Sequence, residues 1–112
     1  MGARGKKVRW QKALILDAQL EQQRVADEIL KEIANAEVEY IECVRQLEMA
    51  DQSRKIAQEN LDLNTFSYAE GRLTILDVLS SQVTWLQAQS RYVDLLYRHK
   101  VARAEYMKAV GL

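Results

Sequence analysis

Phe66-Ser67-Tyr68-Ala69-Glu70-Gly71-Arg72-Leu73-Thr74-Ile75-Leu76-Asp77-Val78-Leu79 holds the one glycine in the interior of this chain, and the fold turns on it. The other three glycines, Gly2, Gly5 and Gly111, stand near the ends, and there is no proline. Glycine tolerates positive φ, so Gly71 suits the residue just past a helix end. Thr74 offers an N-cap hydroxyl. Asp77, three residues on, puts a carboxylate in a first turn, where the helix dipole favours it. Glu or Gln is preferred at that position, so the expected capping box is imperfect. This stretch predicts a tip turn over 70–74, with a long helix over 6–69 before it and a shorter one over 75–110 after it.

Working outward, Lys6 to Glu70 is 65 residues without glycine or proline, and Arg72 to Val110 is 39 more. Both stretches are rich in Ala, Leu, Glu, Gln, Lys and Arg, the strongest helix formers. No sustained alternation and no Asn-Gly or Asp-Gly turn suggests a strand. The fold class is therefore all-α, a long antiparallel helical hairpin of coiled-coil type. At 1.5 Å per residue the helices would measure roughly 95 and 58 Å, which leaves about 25 residues at the start of the first without a partner in the hairpin.

The apolar pattern adds a second constraint. On the first helix a three-four stepping runs Ala26, Ile29, Ile33, Ala36, Tyr40, Cys43, Leu47, Ala50, Arg54, Ala57, Leu61, Asn64, Tyr68. Beside it lies Val25, Leu30, Ala34, Val38, Ile41, Val44 and later Ile56, Leu63, Phe66. The second helix carries the row Leu76, Leu79, Val83, Leu86, Ser90, Val93, Tyr97, Ala104, Met107 and a companion row Ile75, Val78, Trp85, Tyr92, Leu96, Tyr106, Val110. A two-stranded coiled coil needs one seam. Two seams on each helix predict neighbours on two sides, as in a loosely packed bundle that dimerises or a closed ring of helices. Small or polar seam members, among them Ala26, Ala36, Ala50, Ala57, Asn64 and Ser90, favour close helix approach over a filled core.

Composition excludes several classes. The longest apolar run is Ala13 to Leu16, far short of the ~20 residues a membrane-spanning helix needs. Lys plus Arg and Asp plus Glu are 16 each, so no overall charge draws the chain to nucleic acid. The charge is unevenly placed: residues 1–12 carry five cations and no acid, 13–70 carry net −8, and 71–112 net +3. Opposite signs favour pairing of the two helices, though weakly. The basic start (Arg4, Lys6, Lys7, Arg9, Lys12) reads as a solvated end or a short phosphate-binding arm. No apolar stretch of the roughly 7 to 15 residues a signal needs follows before Gln11 and Lys12 interrupt, so it is not a secretory signal.

Chemistry-bearing constellations are scarce. The single histidine, His99, follows Leu96 rather than a Glu-x-x pattern, which removes a di-metal bundle site, and it reads as a solvated side chain. The single cysteine, Cys43, falls on a seam and reads as a small core residue. Glu37, Glu39 and Glu42 read as a solvated face. No phosphate loop, nucleophile elbow or zinc spacing occurs. The expectation is no enzyme, no metal and no cofactor. What remains is the tip. Leu73 serves either as a staple against the second helix or as a docking residue for another protein. Asp77 is either a helix-start charge or a functional carboxylate.

Tyr68-Ala69-Glu70-Gly71-Arg72-Leu73-Thr74-Ile75-Leu76-Asp77-Val78-Leu79-Ser80-Ser81-Gln82 resembles the Tyr-x-x-Gly, then Asp-Val-Leu-x-x-Gln stretch of TolC-like outer-membrane efflux proteins. Ala104 to Leu112 is similar to the end of that family's rising helix, and Gly2-Ala3-Arg4-Gly5-Lys6-Lys7 to the junction where a barrel strand enters its long descending helix. The likeness covers nearly the whole chain but only the second helical hairpin of a member, so the chain is expected to be a fragment of a longer protein. The resemblance implies a homotrimer whose hairpins form an α-helical tunnel wall. Its setting would be the periplasmic portion of a Gram-negative outer-membrane protein. The tip would dock a periplasmic adaptor of a tripartite efflux pump with an inner-membrane component. By position, Tyr68 and Asp77 would line the entrance, and Gly71, Arg72, Leu73 and Thr74 would meet the adaptor. Leu73 stands where some members have a basic residue, which Arg72 replaces one position earlier, and Ser80 where some have a second acid. A double carboxylate ring is therefore not assumed. Alone, the fragment is expected to self-associate through its open seams. The competing reading is a stand-alone coiled-coil scaffold or interaction module.

Overall fold

A computed structural model describes residues 2–112. Two helices account for nearly all of them, α1 over Gly2–Ala69 and α2 over Ile75–Ala109, with no strand among the described residues. The long glycine- and proline-free stretches thus fold as their composition dictates. α1 also takes in Gly2 and Gly5, ahead of Lys6.

The chain divides into two units, residues 1–35 and 36–112. In the first, α1 is exposed on all sides from Gly2 to Glu32. Its apolar side chains, Trp10, Leu14, Ile15, Leu20, Val25 and Ile29 among them, meet solvent in this chain. Arg24 bridges Glu21 and Glu28 one turn to either side, which stabilises the exposed helix by a few tenths of a kcal/mol per pair.

The second unit is an antiparallel helical hairpin. Cys43, Ala50 and Ala57 are buried on α1, one heptad apart, and Val78, Leu95 and Ala102 on α2. Half-buried Leu47 and Arg54 stand between the α1 three, and half-buried Tyr40 and Leu61 flank them, completing a three-four seam of the left-handed coiled-coil kind. Half of the buried residues are alanines, so the helices pack backbone-close, as small seam residues allow.

On α2 the inward row is Val78, Ser81, Trp85, Ala88, Tyr92, Leu95, His99, Ala102 and Tyr106. Apart from the exposed Ile75, the companion row of the sequence reading therefore faces the seam. The more regular row, Leu76 to Met107, is exposed, with Ser90 outside as well. Leu95, one of the most buried residues, belongs to neither predicted row. His99 is half-buried with its ring 5.4 Å from that of Tyr40, which also stacks on Tyr106 at 5.9 Å. It is a seam residue and not the solvated side chain expected. The imidazole is flat and amphipathic, and it fits against an aromatic partner where a longer cation would reach past it.

Polar pairs across the seam fix the register. Trp85 Nε1 donates to Gln58 Oε1 at 2.6 Å, and Asn64 donates to Ser81. The Arg54 guanidinium lies 4.2 Å from the centre of the Tyr92 ring while pairing with Asp51. Every ion pair among the described residues joins positions three or four apart on one helix. The opposite net charges of the two segments thus form no cross-helix ion pair, and neutral hydrogen bonds and a cation–π contact align the seam instead.

Candidate functional site: the hairpin tip

α1 ends in a Schellman motif. The Gly71 N–H donates to Tyr68 O at 2.9 Å, and the Arg72 N–H to Ser67 O at 2.9 Å. Gly71 takes φ +79°, the left-handed conformation expected of the residue past a helix end. A Cβ built on it would have no neighbour within 4 Å, so the requirement for glycine is one of backbone conformation and not of space. The same device closes α2, where Gly111 has φ +84° and Leu112 N–H donates to Met107 O at 2.8 Å.

α2 begins on a capping box that is complete despite the shorter acid. The Asp77 carboxylate accepts from the Thr74 N–H at 3.0 Å and from the Thr74 hydroxyl at 2.9 Å. The Asp77 N–H in return donates to Thr74 Oγ1 at 3.4 Å, and Thr74 is extended at φ −84°, ψ 162°. The two bonds that the carboxylate accepts, from the Thr74 N–H and hydroxyl, both fall on Asp77 Oδ2. Leu73 and Val78 occupy the two staple positions around this cap. Val78 is buried and Leu73 half-buried, so Leu73 is only partly available to a partner.

The six residues singled out in sequence thus share one turn and its flanks. Arg72 is exposed and makes no ion pair among the described residues. Tyr68 is 44% exposed, and the seam passes instead through half-buried Ser67, one position earlier. Two residues that sequence reasoning did not assign to the tip support it from behind. Asn64 donates to Ser81, whose hydroxyl donates to the Asp77 carbonyl at 3.1 Å. This chain ties the first turn of α2 to the last turns of α1. Its signal was present in the polar seam position of Asn64.

Among the described residues no group of three or more His, Cys, Asp or Glu side chains could hold a metal ion. The grooves are shallow. One of about 220 Å³ is lined by Glu39, Tyr97, Arg98 and Glu105. No described helix is long and apolar enough to cross a membrane.

No curated protein and no solved structure matches this chain. The family model of the outer membrane efflux proteins matches it over residues 1–112. Members of that family are channel proteins of the outer membrane with helical periplasmic parts, trimeric, and they work with adaptors and pumps. With the match running the length of the chain over a helical hairpin, this chain belongs to the outer membrane efflux protein family.

Proposed function

We propose that residues 36–112 are a wall hairpin of a trimeric periplasmic efflux tunnel. In this reading Gly71, Arg72, Leu73 and Thr74 are the surface on which a periplasmic adaptor docks to couple an inner-membrane pump. Tyr68 and Asp77 stand at the entrance. The observation that carries the reading is the second apolar row left open on both helices of this unit. It comprises Val38, Ile41, Ile56, Leu63 and Phe66 on α1, and Leu76, Leu79, Val83, Leu86, Val93 and Tyr97 on α2. A hairpin that kept only its own company in water would carry polar residues at these positions. Staves laid edge to edge cover such rows, and small seam residues such as Ala50 and Ala57 suit a thin wall. Docking at the tip is supported by the exposed, unpaired Arg72 beside the half-buried Leu73 on a turn held at both ends by caps.

The test uses the full-length protein. Arg72→Glu and Leu73→Asp should abolish dye efflux while trimers still assemble on native gels, and normal efflux in both variants rejects the docking role. For Asp77, Asp77→Asn keeps a carbonyl oxygen to accept from Thr74 while removing the charge. Single-channel conductance and cation block that match those of the parent would leave Asp77 as a cap only.

A further inference from the structure

The five cations at the start of α1 are the longest run of like charge in the chain uninterrupted by the opposite sign. Arg4, Lys6, Lys7, Arg9 and Lys12 are all exposed, none makes an ion pair among the described residues, and no acid occurs before Asp17. At about 100° per residue they do not share a face. They encircle the helix with no gap wider than about 100°, and Trp10 falls inside the widest gap. Trp10 is 65% exposed. A groove in a protein or a duplex meets one side of a helix and would leave half of these cations unused. A layer of anionic headgroups around a steeply entering helix meets all of them. From Arg4 to Lys12 the collar rises about 12 Å, close to the depth of a headgroup region plus its ionic atmosphere. Tryptophan amid Lys and Arg is the side-chain set that settles at that depth.

We infer that residues 4–12 form a cationic collar that binds an anionic phospholipid surface. No tip residue takes part, and adaptor docking can fail without touching the inference. The inference is tested by flotation of the full 112-residue chain with vesicles of phosphatidylcholine alone or with a third phosphatidylglycerol. The triple variant K6Q/K7Q/R9Q is compared with K31Q/K55Q/R103Q, which removes equal charge elsewhere. Circular dichroism confirms equal helicity. Binding is expected only with phosphatidylglycerol. It should weaken on the order of a hundredfold in the collar variant, at about fivefold per cation, and little in the control. In a Trp85→Phe background, Trp10 emission should shift to the blue and be quenched by lipids brominated near the headgroup. Equal binding to pure phosphatidylcholine, equal loss in both triple variants, an unmoved Trp10 spectrum, or tighter binding to duplex DNA than to the anionic vesicles at the same salt would each overturn it.

Discussion

Replacing Gly71 by alanine isolates what the turn demands of the backbone. At φ +79° an L side chain costs about 1–2 kcal/mol through the contact of Cβ with the neighbouring carbonyl. Nothing else adds to that cost, because a Cβ there has no other atom within 4 Å. Against it stands the reduced freedom of the unfolded chain, worth about 0.4–1 kcal/mol in alanine's favour. The net expectation is a loss of up to about 1.6 kcal/mol, centred on about 0.8 kcal/mol. Asparagine visits this region more readily and should lose less, and valine should lose more than alanine. Urea unfolding followed by far-ultraviolet circular dichroism reads the midpoint at constant slope, over a range of protein concentrations because open apolar rows promote association. Unfolding midpoints ordered Gly, Asn, Ala, Val from most to least stable support the reasoning. A midpoint for Gly71→Ala equal to the parent's, or asparagine more damaging than alanine, refutes it. The result also bears on export assays. A Gly71→Val defect would mix a strained turn with any loss of the proposed docking, whereas Arg72→Glu leaves the Schellman and cap hydrogen bonds in place.

Ala57 is 5% exposed in the seam, so Ala57→Leu should force the helices apart at a cost of about 1–3 kcal/mol, seen as a lower urea midpoint. Asp51 is held below the usual carboxylate range, first by its hydrogen bond from Arg54 and then by that from Lys55. A depressed folded value means that its contribution is present above the unfolded carboxylate pKa, about 3.9, and is lost as the pH falls through the lower folded value. The melting temperature of the parent should therefore exceed that of Asp51→Asn at neutral pH and converge with it in acid. The Cys43 thiol is pushed up by burial and then by the nearby Glu39, to which it donates at 3.7 Å. Alkylation at pH 8 should be far slower in the folded chain than in urea, and fast labelling in the absence of denaturant would show that the seam opens there.

The helices and the turn were legible because they rest on local rules. Sixty-five residues without glycine or proline exclude most alternatives to helix, and Gly71 and Thr74 each suit one backbone conformation. The α1 seam was legible too, since Cys43, Ala50 and Ala57 recur at a heptad with larger residues between. The α2 seam was not. The row Leu76, Leu79, Val83, Leu86 is as regular as the inward row and more apolar, so periodicity alone points outward. The choice is made by partners that lie far away in sequence. Gln58 accepts from Trp85, Asn64 donates to Ser81, and Arg54 needs an aromatic face that Tyr92 supplies.

These long-range contacts also account for the residues that escaped the sequence reading. Ser81, Ala88, His99 and Ala102 are too small or too polar to mark a seam by hydropathy, yet Asn64 holds Ser81 and Tyr40 packs on His99 across it. Asp77 shows the converse case. Its one-carbon-shorter side chain lowered the expectation of a capping box, but the extended backbone of Thr74 brings both halves within reach. The tip is therefore held by hydrogen bonds that engage the backbone of Gly71, Arg72 and Thr74, while the Arg72 side chain enters none of them. A surface residue left free by a turn that does not need it is one whose identity can change with the partner and not with the fold. On the proposed docking role, Arg72, ahead of Gly71 or Thr74, is the tip position whose substitution should alter recognition while leaving the turn intact.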